Sequence, residues 1–199
     1  MDNTLDTTVS AKGGIHPRNV ALAHAATVAL LLAIFAAAND WFRSSALPIA
    51  AILGVLSGAA AGAIICTLVH EWFHYLGAIA TRGRYRRPSR LALFAFEWDF
   101  KHNSPRQFLV MSYAGTLGSL AAIALFMLSI PAETPCSIAL LAASVGSLAF
   151  AGAIEWPVIA RVQRGGDPLV ELSKTTPRVV LTSAGIGFVT LLIVAYALT

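Results

Sequence analysis

The chain carries His70-Glu71-Trp72-Phe73-His74, an H-E-x-x-H arrangement, at the end of a long apolar stretch. On a helix at 100° per residue, positions four apart differ by about 40° in azimuth and by ~6 Å along the axis. Both imidazoles then face one side and can bind a single metal ion, with Glu71 beside them. The combination suits zinc-dependent hydrolysis. Zinc acidifies a water toward a pKa of ~7, and a neighbouring carboxylate takes the water's proton and later delivers it to the leaving amine. For a chain with this many His and Glu, the pattern arises by chance roughly 0.3% of the time, so chance explains it poorly. The competing reading is structural: two interfacial histidines, a Glu snorkelling at a helix end, and Trp72 and Phe73 in an aromatic belt.

The elements that must position these residues follow from composition. Of 199 residues, 57% are hydrophobic and only 12% charged, against about 25% charged in a soluble domain. A mean hydropathy of +0.71 points the same way, and a soluble globular fold is excluded. Five apolar stretches lie at about 20–38, 46–80, 108–130, 136–160 and 179–199. Each is long enough for a ~30 Å hydrocarbon core, and each must be helical because lipid offers no partner to open backbone groups. The expected fold is an all-α polytopic membrane protein, a single embedded domain over 1–199. The connecting segments 81–107 and 161–178 are its long cytoplasmic loops.

Charge sets the orientation. Lys12, Arg18, the cluster Arg82 to Arg106 and the group Arg161 to Arg178 place 13 of the 14 Lys and Arg on one side, with Arg43 alone on the other. By the positive-inside rule the N-terminus is cytoplasmic and Thr199 lies outside. The net charge of +4 then reflects topology and attraction to anionic headgroups, with no need for nucleic acid. Ala36-Ala37-Ala38 resembles a cleavage site, but Asp2 and Asp6 offset Lys12 and Arg18, so the first span is expected to stay uncleaved. Compactness and alanine richness point to a bacterial inner membrane. The two cysteines, Cys66 and Cys136, imply no disulfide framework.

With its H-E-x-x-H helix in a membrane span, the later small-residue stretch Ser112-Tyr113-Ala114-Gly115-Thr116-Leu117-Gly118 and a distant Asp, the chain resembles the site-2 protease-like membrane zinc metalloproteases over roughly residues 47–172. The resemblance implies zinc on His70 and His74, with Glu71 as catalytic base and a distant Asp as third ligand. The family's Asn-containing third-ligand pattern is missing. Arg164-Gly165-Gly166-Asp167-Pro168 resembles the Gly-Gly-Asp signature of a divergent branch and offers Asp167, while Glu155 offers a carboxylate within the fourth span. A helix over 46–80 measures about 52 Å, some 20 Å more than the core requires. Standing upright, it brings His70 and His74 out near the cytoplasmic interface, level with the loop of Asp167. A tilted helix would bury them deeper and favour Glu155 instead. Other readings give Asp167 a helix-capping role before Pro168 and pair Glu155 with Arg161.

Three further features complete the reading. In 91–101 the residues Phe94, Phe96, Trp98 and Phe100 alternate with Ala95, Glu97, Asp99 and Lys101, a period of two that predicts a strand. It could offer its edge to an extended peptide or anchor a hairpin in lipid. Gly54, Gly58 and Gly62 repeat every fourth residue, a stripe suited to close helix packing within the bundle or across a dimer. Cys66 lies one turn before His70 and could line the site, whereas His24 and His102 have no evident partner. The leading expectation is a membrane-embedded zinc endopeptidase that cuts membrane-associated proteins or peptides at the cytoplasmic face. The alternatives are a catalytically silent zinc-binding regulator or chaperone, and a small ion or proton transporter.

Overall fold

The computed structural model describes residues 14–199, so Asp2, Asp6 and Lys12 lie outside the described residues. Six helices follow in order: α1 Pro17–Ser45, α2 Pro48–Ala80, α3 Pro105–Ser129, α4 Pro135–Gln163, α5 Pro168–Ser173 and α6 Pro177–Ala197. All six begin on a proline. At the first helical position the missing N–H costs nothing and the fixed φ is already helical. Side chains of Ser104, Thr134, Asp167 and Thr176 cap the helices they precede. Every helix but α5 is long and apolar enough to cross a membrane, which agrees with the all-α expectation.

α2 is the central element. It packs most extensively on α4 and α3; α1 lies against α2, and α6 against α4. The glycine stripe faces α4 within the same chain: a Cβ at Gly58 would strike the Cys136 carbonyl, and one at Gly62 the Leu140 carbonyl. Small residues thus let two backbones approach where hydrophobic burial offers no drive. The outward faces are apolar, with Leu128, Leu181 and Tyr196 largely exposed, while Ser112, Ser119, Ser144, His70, Glu71 and His74 are buried. A surface so arranged suits hydrocarbon rather than water.

The loop between α2 and α3 contains β1 (Tyr85–Arg86) and β2 (Glu97–Trp98), paired antiparallel with Tyr85 opposite Trp98 and Arg86 opposite Glu97. Regular strand structure is therefore far shorter than the alternation over 91–101 predicts. The alternation itself persists, since Phe94, Phe96, Trp98 and Phe100 all face one cavity. Asn103 ties the hairpin to α3 by accepting from the Arg84 N–H and donating to the Arg84 carbonyl.

α4 continues through Pro157 to Gln163. Proline lacks the N–H that would bond the carbonyl four residues back, yet the helix does not end there. Its extra turns carry Asp167 beyond the level reached by Glu155.

Candidate metal centre

α2 places His70, Glu71 and His74 toward the bundle interior, where they are 3%, 9% and 8% exposed. One donor atom from each lies within 4.8 Å of the others, a group able to hold a metal ion. The helical spacing did what the sequence arithmetic requires: the two imidazoles sit edge to face with centroids 4.4 Å apart.

α3 fixes the rings. His74 Nδ1 lies 2.8 Å from the Met111 carbonyl oxygen, which can only accept, so that nitrogen carries the hydrogen. His70 Nδ1 lies 2.9 Å from Ser119 Oγ. Gly115 sits directly against the His74 ring, and a Cβ there would overlap the imidazole. Ser112, Gly115 and Ser119 follow the spacing of one helix face, so α3 presents a cavity wall, a gap for a ring and a hydroxyl in register.

α4 supplies the third group. Glu155 Oε1 lies 2.9 Å from His70 Nε2 and 3.2 Å from His74 Nε2. A neutral His74 protonated on Nδ1 bears a lone pair on Nε2, which would face the carboxylate's own lone pairs. Something positive belongs between them, either a proton or a metal ion. Glu155 Oε2 is buried and, among the described residues, has no hydrogen-bond partner. An orphaned carboxylate oxygen beside two converging imidazole nitrogens is a donor set that fits a divalent cation.

The remaining candidates lie elsewhere. Asp167 is exposed and its Oδ1 accepts from the Val170 N–H at 2.9 Å, capping α5. Of the two proposed third ligands, Glu155 stands at the histidines and Asp167 does not, because helical α4 extends past Pro157. Arg161 does not pair with Glu155; its Nε donates to Glu171 Oε2 at 2.6 Å. Cys66 is fully buried with its thiol directed at the Ser119 carbonyl, 3.9 Å away, within an apolar cluster with Ala122 and Ile123.

Two histidines that lacked partners gain them. His24 Nδ1 accepts from the Trp72 indole N–H at 3.1 Å and its Nε2 donates to the Ala92 carbonyl at 3.0 Å, joining α1, α2 and the aromatic loop. Trp72 thus bridges helices instead of serving only as a lipid anchor. His102 pairs with Asp99 at 2.8 Å, which holds the Asp99 carboxyl below its usual range.

Ser119 and Met111 are the supporting residues that spacing did not single out. For Ser119 a signal existed: it lies two turns beyond Ser112, one residue past the small-residue stretch. The Met111 contact is through its backbone carbonyl, which no side-chain pattern reveals.

A cavity of about 260 Å³ adjoins the centre, lined by Glu71, His74, Glu155 and Ser112 and otherwise by aromatic and aliphatic side chains. No family model matches the chain, and no curated protein or solved structure does so either.

Proposed function

We propose that this chain is a membrane-embedded zinc endopeptidase that hydrolyses peptide bonds of membrane-associated proteins at or near the cytoplasmic face. The observation that carries the reading is the convergence of His70 Nε2 and His74 Nε2 on one oxygen of Glu155, with Glu71 alongside. His70, His74 and Glu155 would hold the ion, in preference to a set completed by Asp167. Bound zinc supplies Lewis acidity, which acidifies water and polarises a peptide carbonyl.

The protein's own groups do the rest. Met111 and Ser119 hold the Nδ1 side of each ring and leave both Nε2 atoms free for the ion, as outer partners of metal-binding histidines generally do. Glu71 accepts a proton from the attacking water and passes it to the departing nitrogen. A carbon–oxygen bond forms, the carbon–nitrogen bond breaks, and a carboxylic acid and an amine result. Apolar walls around the reacting end limit competing water and strengthen each charge interaction.

In this reading the lysine- and arginine-rich loops face the cytoplasm and meet anionic headgroups. His70 lies 22 residues past Pro48, and Glu155 lies 20 past Pro135. The two helices therefore reach similar depth, close to the inner end of a ~30 Å core at 1.5 Å per residue. A bacterial inner membrane remains the proposed home.

The test is cleavage by zinc-loaded protein in detergent or vesicles, compared with Glu71→Gln at equal zinc content. Removal of the base lowers kcat by about 10²- to 10⁴-fold without releasing the metal. Equal turnover by the two proteins would overturn the reading.

A further inference from the structure

The cavity beside the candidate metal centre is lined by two kinds of side chain. Glu71, His74 and Glu155 carry the chemistry, while Phe96, Trp98, Phe108, Met111 and Ile159 are among its apolar walls. Ring contacts stiffen these walls: Tyr85 and Phe96 lie 5.8 Å apart by centroid, Phe96 and Trp98 6.4 Å, and Phe100 and Phe108 6.0 Å. The first two pairs are edge to face and the third is tilted, contacts that at such distances hold a preformed surface.

We infer that this chamber is a specificity pocket for one large apolar side chain flanking the cleaved bond, an inference that deepens the endopeptidase reading and rests on it. Size and charge both argue for that occupant. A cavity of ~150 Å³ accommodates benzene, so about 260 Å³ takes an aromatic ring together with adjoining backbone. An alanine would leave most of the walls without contacts. A charged side chain would lose its hydration without gaining a counter-ion: among the described residues no Lys, Arg or Asp lines the cavity, and the two glutamates are committed to the reaction. Among the described residues, Ser112 supplies the one hydroxyl in the lining.

The experiment uses the full-length protein in detergent and a set of short quenched peptides that differ at one position on either side of the cleaved bond. The pocket predicts a kcat/KM for Phe at least tenfold above that for Ala or Asp at one of these positions, since apolar pockets discriminate about 10- to 200-fold per methylene. Leu172→Trp, at a residue that lines the chamber, narrows it and lowers the Phe-to-Ala ratio at least threefold. Phe94→Ala widens it and raises the Trp-to-Phe ratio. Ratios taken within one protein cancel any loss of folded material.

A second arm needs no turnover: calorimetric binding of the same peptides to Glu71→Gln protein. Cleavage and binding with no preference for the apolar side chain, or ratios unmoved in both variants, overturn the pocket alone. Selective binding without cleavage by wild type overturns the endopeptidase reading and leaves the pocket standing as a binding site. Neither binding nor cleavage overturns both.

Discussion

Glu171 and Glu155 lie close to the C-terminal end of α4 and are completed in opposite ways. Glu171 receives Arg161 Nε on Oε2 at 2.6 Å, and Lys174 Nζ on Oε1 and Oε2 at 2.6 and 2.7 Å. Both of its oxygens are satisfied, and the Lys174 ammonium first, then the Arg161 guanidinium, hold its carboxyl below the usual glutamate range. Glu155 offers one oxygen to two imidazoles and leaves the other buried without a partner among the described residues. A fully paired carboxylate is finished as structure and serves to pin α5 to α4. A half-satisfied one beside converging nitrogens is a group able to hold a cation. The difference separates a structural ion cluster from a candidate metal site more sharply than charge or burial does.

The comparison breaks most visibly under amide substitution. Glu155→Gln keeps the volume and removes the charge, so zinc affinity falls more than 100-fold, whereas Glu171→Gln shifts it less than twofold; competitive titration with a fluorescent chelator reads both. Equal losses would mean that the two carboxylates do not differ in kind.

A smaller effect sharpens the account of how α3 holds the rings. Loss of the hydroxyl in Ser119→Ala, or intrusion of a methyl on the His74 ring in Gly115→Ala, weakens zinc about 10- to 100-fold, the range typical of outer partners of metal ligands. Ala substitution at Gly185 on α6, where an added Cβ meets nothing within 4 Å, provides the control: its affinity should stay near that of wild type.

The smallest effect concerns the paired carboxylate. Because the folded-state value of Glu171 is depressed, its ion pairs stabilise the fold above the ordinary glutamate pKa of about 4.3, and this contribution is lost as pH falls through the lower folded-state value. Glu171→Gln should therefore lower Tm by no more than about 2 °C at neutral pH. The gap to wild type should close in acid. A difference that widened below pH 4 would contradict the assignment.

How much of this was legible in the chain depends on the range of each interaction. The five spans and the pairing of His70 with His74 are local, set by apolar length and by a four-residue spacing, and both appear as the sequence reading has them. The Gly54, Gly58 and Gly62 stripe is also local, and its partner proved to be α4 of the same chain. Glu155 is visible as a carboxylate in a span, but an upright second span sets the histidines level with the loop of Asp167 and favours that residue. In the fold α4 passes Pro157 without stopping, and Glu155 is the carboxylate at the histidines. The prolines that open all six helices were a stronger boundary signal than the hydropathy edges, since they mark each start to the residue. The His24 bridge and the Ser119 contact span 48 and 49 residues of sequence; local spacing marks the helix face of Ser119 but not the partner that it meets at that range.

The most direct measurement is the zinc-to-protein ratio of purified wild type, Glu155→Ala and Asp167→Ala. The account predicts one zinc per chain in wild type and in Asp167→Ala, and its loss in Glu155→Ala. Retention of stoichiometric zinc by Glu155→Ala, with loss in Asp167→Ala, would contradict it.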